Sequence, residues 1–474
     1  MADSYPDWST LQSAIGGQVV LPGAADYEKG RQAFNARFHA ARPLAIVRCT
    51  TPEDVAEAIS FASRHRLEAV ARSGGHCFAG RSSTDGVVID VSPMNSVAVS
   101  DGVATVGAGA RLGDLYPRLL EDGLTVPTGT CPTVGIAGLT LGGGLGILGR
   151  KHGLTSDHLL GAEIVLADGR VVECDEHHDE ELFWALRGAG SGNFGVVSSF
   201  DFQLLPAPEV TTFRLFWGHA HAADVIEAWM NWGPEAPDEV ATSLVLAAAP
   251  EVDLPPVLDL FGAILGSESD TIELLDPLVA RVGVDPASEF LQGMSYGDTM
   301  RYWGKLDHLS GGHSDAAPTN MDLEPQYLLA KTEFFKRPLP TEAIGALIEN
   351  FTDDRAPGQY RELDFMAWGG AYNKVPADVT AFVHRDPLFL LKHAIILDPS
   401  VPNLDEHAAH RWVAESWALV HPWGTGGAFP NFSDPDLENW AEAYYGANYD
   451  RLLRIKAQYD PENFFRSRQS LTVG

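Results

Sequence analysis

Apolar side chains recur at helical spacing between residues 51 and 66, where Val55, Ile59 and Ala62 share one face. Thr51 offers a capping hydroxyl, Pro52 suits a first turn and Asp54 completes a capping-box pattern, so the segment is predicted to be a helix. Short apolar runs follow at residues 68–72, 87–91, 103–106 and 124–126, each of strand length. Residues 162–167 and 170–174 flank Asp168-Gly169, a pair suited to the positive φ angles of a two-residue hairpin turn. A helix at 179–187 and a strand at 196–205 close this region.

The pattern changes at Leu205-Pro206-Ala207-Pro208. Beyond it come longer apolar helices, strand alternation as at 212–217, and longer loops such as 310–318. Residues 206 to about 420 read as a second domain, an antiparallel sheet with helices on one face. The last stretch predicts a helix from Asp436 to about Gln458. A chain of 474 residues exceeds one ordinary core, so two domains and an α+β fold are expected.

Composition narrows the function more than the fold. With 33 basic and 64 acidic residues the net charge is −31, which repels phosphate backbones and anionic membranes. Neither a nucleic acid nor a membrane is therefore expected as a partner. No run approaches the about eighteen apolar residues of a membrane span, and Met1 to Asp7 lacks signal-peptide character, so a cytoplasmic location is expected. Cys49, Cys77, Cys131 and Cys174 show no metal-ligand spacing.

The candidate chemistry lies in glycine-rich segments. Gly144 to Gly149 and Gly190 to Gly195 both match GxGxxG, but neither joins a strand to a following helix as a Rossmann site requires. Irregular turns can instead hold an anion on successive backbone N–H groups. The segments 72–77, 129–146 and 188–195 are suited to wrapping a pyrophosphate in this way. Two of them present a nucleophile among glycines: His76 in Arg72-Ser73-Gly74-Gly75-His76-Cys77, and Cys131 in Gly129-Thr130-Cys131-Pro132-Thr133-Val134-Gly135. Taken alone, His76 could equally hydrogen-bond backbone, and Cys131 could be a buried structural thiol.

As a set these motifs resemble the berberine bridge enzyme-like branch of the FAD-linked oxidases. The resemblance also runs through residues 45–48, 72–90, 131–146, 182–188 and 193–195. It continues at Tyr445-Gly446, Asn448-Tyr449, Leu452, Lys456 and residues 460–464. It implies a two-domain PCMH-type FAD-binding fold, with the FAD domain built from residues 1–205 and 421–474 and a substrate domain, 206–420, inserted between them. It implies FAD bonded twice, through His76 to the flavin 8α-methyl and through Cys131 to flavin C6. Further cofactor contacts are expected from Arg72, Ser73, Gly74, Gly75, Val134, Gly135, Gly138, Gly142, Gly195, Val197 and Asn463. Val134 occupies the gate position beside the ring's oxygen-reactive edge, where valine accompanies oxidase behaviour. Leu139 replaces the histidine of plant members.

One family feature is missing. Members use the last tyrosine of a Tyr-x-Asn-Tyr segment as the base, and here the segment is Phe429-Pro430-Asn431-Phe432. Substitute bases are Tyr372 and Asp364, the latter sharing a strand face with Met366 and Trp368, with His384 as a third candidate. An amine substrate would also relax the need for a strong base. The expected function is an FAD oxidase acting on a small-molecule substrate at a C–H beside an alcohol or amine, with molecular oxygen reduced to hydrogen peroxide. A flavin dehydrogenase with another acceptor and a flavin-binding protein without turnover are the alternatives.

Overall fold

The computed structural model describes residues 6–190, 192–306, 326–398, 400–401 and 404–473. The loop expected at 310–318 lies outside these residues.

The first helix prediction is realised as Pro52–Arg64, with the Thr51 hydroxyl accepting from the Asp54 amide. The other half of the capping box is displaced. The buried Asp54 carboxylate accepts from the amide and hydroxyl of Thr50 and from the amides of Gly16 and Gly17. It thus ties the N-terminal segment to the helix instead of closing on Thr51.

Strands Ala45–Arg48, Val87–Asp90 and Ala69–Arg72 form a parallel set, with Gln18–Val20 added antiparallel at one edge. A second, five-stranded sheet is antiparallel throughout and contains the predicted hairpin as Leu159–Leu166 and Val171–Asp175. Its turn differs from the two-residue type. Only Gly169 takes positive φ, and the Leu166 carbonyl accepts from Gly169 while the Leu166 amide donates to the Arg170 carbonyl. That is a three-residue loop with glycine in the left-handed position.

The third sheet has seven antiparallel strands in the order Ser288–Ser295, Glu209–Gly218, Val257–Ile264, Val240–Ala248, Gln359–Ala367, Phe389–Leu397 and Tyr327–Phe335. Helices Ala222–Trp232, Glu268–Val282, Thr341–Thr352 and Glu406–Val420 pack on one face, burying Leu363, Phe365, Leu391 and Ile395. Strand alternation turns Glu362, Asp364, Met366 and Lys392 to the other face. That face lines the cavity described below.

The core under the seven-stranded sheet draws on residues from Phe213 to Val420. The other large core combines residues from Trp8 to Val210 with Ala428, Tyr444, Tyr445, Leu452, Ile455, Tyr459 and Leu471. The chain's last stretch therefore returns to pack on its first two hundred residues. The single long helix expected from 436 to 458 is in fact Trp440–Tyr445, a 3₁₀ turn Gly446–Asn448, and Tyr449–Tyr459. Gly446 adopts φ 46°, and the Asn448 side-chain amide donates to the carbonyls of Ala377 and Thr380. The break lets Tyr445 remain buried with its hydroxyl on the Ala189 carbonyl.

Candidate functional site

A cavity of about 460 Å³ lies between the glycine-rich loops and the open face of the seven-stranded sheet. Its first wall begins where strand Ala69–Arg72 ends. The buried Arg72 guanidinium donates to the carbonyls of Gly30, Arg31 and Ser82, which fixes the ends of the 73–82 loop. Burial holds its pKa below the usual arginine value. The Ser73 hydroxyl donates to the Ala108 carbonyl. Gly74 and Gly135 lie back to back, and a Cβ on Gly74 would come within 2.2 Å of the Gly135 nitrogen. Gly75 turns the chain with φ 73°.

The turn carries His76 onto Thr133. His76 Nε2 lies 2.9 Å from Thr133 Oγ1, and Cys131 Sγ lies 3.5 Å from the same oxygen. The Phe34 ring stacks on the imidazole with centroids 4.2 Å apart. The two sequence-predicted nucleophiles are thus brought together at one end of the cavity through Thr133, which the sequence reading passed over. Val134 follows in the same turn and lines the cavity. Gly135 caps the short helix Ile136–Leu141, Gly138 has open space where a Cβ would be, and Gly142 closes the helix against Asn431. Gly195 and Val197, from strand Gly195–Gln203, complete the wall. Asn463 is not brought to the cavity: its side-chain amide pairs with both backbone groups of Val473 and secures the C-terminal tail.

The opposite wall is acidic and basic at once. Lys392 Nζ lies 2.8 Å from Glu362 and 3.2 Å from Asp364, and the Phe432 ring covers its ammonium at 5.3 Å. Asp364 and Lys392 are register partners on adjacent strands, so the sheet itself sets their separation. Burial, with Glu362 adding to it, pushes Asp364 up to about 6 against the pull of Lys392. Burial opposes the charge on Lys392, yet its two carboxylates hold it above the usual lysine range. Among the described residues Asp364 Oδ1 has no hydrogen-bond partner. Phe429 and Phe432 flank this group, Phe432 stacked on Phe78 and Phe429 packed edge-on against Trp368 and Phe382.

The other base candidates sit differently. Tyr372 stacks on Trp368, donates its hydroxyl to the Gly146 carbonyl at 3.2 Å and accepts from the Gly146 amide at 3.4 Å. Burial raises its pKa further above that of an exposed tyrosine. A hydroxyl so engaged and so reluctant to ionise braces the loop and is a poor proton acceptor. His384 is absent from the cavity lining, packs on Phe334, and is pushed down to about 4 by burial.

A flavin fits this cavity on two counts. One wall is glycine backbone, closely packed at Gly74 and Gly135 and open at Gly138, which admits a flat ring. At one end, the imidazole and thiol converge on a single hydroxyl. Lys392 had a signal in the sequence, a lone lysine in an apolar strand, while Glu362 sits in a charged run with Arg361 and Asp364; neither gave a clue to their pairing.

Comparison with known proteins agrees with these features. Residues 43–175 match the FAD binding domain family, and residues 428–472 match the family described as berberine and berberine like. An uncharacterized FAD-linked oxidoreductase, YgaK, of Bacillus subtilis (strain 168) is 32% identical, across 97% of this chain and 98% of its own. Chitooligosaccharide oxidase of Gibberella zeae is also 32% identical, across 95% and 91%. Among solved structures, BBE-like 1 of Physcomitrella patens superposes with a TM-score of 0.88 at 29% identity, across 98% and 99%. Among the described residues no helix is long and apolar enough to cross a membrane. With a relative this similar over nearly its whole length, the chain belongs to the berberine bridge enzyme-like family of FAD-linked oxidoreductases.

Proposed function

We propose that this chain is an FAD-dependent oxidase whose flavin is bonded to both His76 and Cys131, and that it oxidises a carbon bearing a hydroxyl or amine. In this reading residues 1–205 and 421–474 hold the cofactor and residues 206–420 hold the substrate. The observation that carries it is the facing of two walls: His76 and Cys131 meet at Thr133 on the glycine side, and Asp364 lies beside Lys392 on the sheet side. Held there, a flavin would supply the hydride acceptor and the reactivity toward molecular oxygen that yields hydrogen peroxide.

The rest is the work of the chain. Asp364 accepts the substrate's hydroxyl proton on its carboxylate, which is largely ionised at neutral pH with a pKa of about 6. Lys392 offsets one of the two carboxylate charges, so the group keeps a negative charge to receive the proton. Phe78, Phe429 and Phe432 supply apolar faces that exclude water and stack against a ring. Val134, three residues beyond Cys131 and hydrogen-bonded through its backbone N–H to the Cys131 carbonyl, supports oxygen as the acceptor because the family resemblance associates valine at this position with oxidase behaviour. The relative named for chitooligosaccharides makes an oligosaccharide one substrate to try, beside aromatic alcohols and amines.

The test is peroxide release by the purified protein across such a panel. The expected result is substrate-dependent, catalase-sensitive peroxide matched by oxygen uptake. Oxidation supported only by an added dye would make the protein a dehydrogenase. Turnover with neither acceptor on any substrate would contradict an enzymatic role.

A further inference from the structure

The segment 138–150, from the end of helix Ile136–Leu141 through the loop after it, forms much of the glycine wall, yet its shape is set from outside the N-terminal part of the chain. Asn431 reaches it from the returning C-terminal segment. Its side-chain amide donates to the Gly138 carbonyl at 2.9 Å, and its Oδ1 accepts from the Gly144 amide at 3.0 Å. Gly142 lies between these points, and a Cβ there would come within 2.3 Å of Asn431 Nδ2. Gly143 and Gly144, both with positive φ, turn the loop at this contact. Farther along, the Tyr372 hydroxyl holds both backbone groups of Gly146, and a Cβ on Gly149 would lie 1.7 Å from that hydroxyl. The loop ends at Arg150, which donates to the carbonyls of Pro234 and Ala236 in the inserted part of the chain.

These contacts are directed at backbone, and they use polar groups that would otherwise stay solvated or unpaired. Asn431 stands between Phe429 and Phe432, the two rings that have lost their hydroxyls. We infer that Asn431, supported by Tyr372, is a positioning residue that gives the 138–146 loop its flavin-holding shape. Cofactor capture then depends on prior docking of the inserted domain and the C-terminal segment. This rests on the flavin reading above.

The experiment compares wild type, Asn431→Ala, Asn431→Asp and Tyr372→Phe as full-length proteins. Three quantities are read: flavin incorporated at limiting FAD, visible circular dichroism of the bound flavin, and melting temperature of the flavin-free protein. Loss of two hydrogen bonds to the loop is expected to cut incorporation by Asn431→Ala about tenfold. The residual flavin should show an altered visible signal, and the flavin-free melting temperature should not change. Asn431→Asp places a carboxylate against the Gly138 carbonyl and should also lose flavin. Tyr372→Phe should change in the same direction by less, and it decides the matter if Asn431→Ala does not fold. Wild-type incorporation and signal in both Asn431→Ala and Tyr372→Phe would overturn the inference, as would a loss that only follows a lowered flavin-free melting temperature. A wild-type protein that takes up no flavin would instead remove the flavin reading beneath it.

Discussion

Replacing Asp364 with asparagine is expected to lower kcat/KM by about 10²–10⁴-fold, the usual contribution of a positioned base, while the flavin stays in place. Asparagine keeps the size and one acceptor of the carboxylate but cannot take a proton. Lys392 retains Glu362 at 2.8 Å, so the exchange does not strand a buried cation. The wild-type pH profile makes the same claim in another form. The base must be ionised to act, and burial has moved its pKa up to about 6, so activity should fall as pH drops through that value. The sign for stability runs the other way. A carboxyl whose pKa is raised on folding stabilises the folded state at low pH, and that contribution is lost as pH rises through about 6. Asp364→Asn should therefore fold at least as well as wild type at neutral pH, and its activity loss is chemical. A variant retaining most of its activity, with an unchanged acid limb, would exclude Asp364 as the base.

The largest expected effect on stability is at Lys456. Its side chain, in the last turn of the final helix, and that of Asp460, the residue that caps the helix, are both fully buried and 2.6 Å apart. Lys456 also donates to the carbonyls of Asn193 and Phe465, and Asp460 accepts from the amides of Phe464 and Phe465. The pair thus joins the C-terminal tail to the turn that precedes strand Gly195–Gln203. Lys456→Met leaves the carboxylate buried without its cation, which costs about 3–5 kcal/mol. Thermal melting should show a large drop in midpoint, partly restored in the double variant Lys456→Met/Asp460→Asn, which removes the stranded charge. A midpoint equal to wild type for Lys456→Met would mean that the tail is held by apolar packing alone.

Local chemistry was the part of the fold most legible in the sequence. Helix Pro52–Arg64 carries its own cap, and the hairpin after Leu159 carries its own turn residues. Antiparallel pairing with helices on one face followed from alternation and helix length in the inserted part. Long-range determinants were not legible. The break at Gly446 depends on Asn448 reaching carbonyls about seventy residues earlier in the chain, and Asp54 is drawn to glycines near the N-terminus.

The site divides in the same way. Glycine turns mark the two segments that present His76 and Cys131, and the family resemblance joined them, but the shared hydroxyl of Thr133 is visible only in three dimensions. Alternation put Asp364 on one strand face with Met366 and Trp368, and the fold turns that face to the cavity. Its pairing with Lys392 depends on strand register, which no single strand encodes. The sequence offers Tyr372 as a substitute base or a structural residue, and the fold engages its hydroxyl on the Gly146 carbonyl.

The proposed attachment of the flavin through both His76 and Cys131 is open to acid precipitation of the purified protein, followed by visible spectroscopy of pellet and supernatant and mass spectrometry of the pellet's peptides. Two bonds keep the yellow colour in the pellet, and the flavin mass links the peptides containing His76 and Cys131. Colour released into the supernatant, with both peptides unmodified, would contradict it.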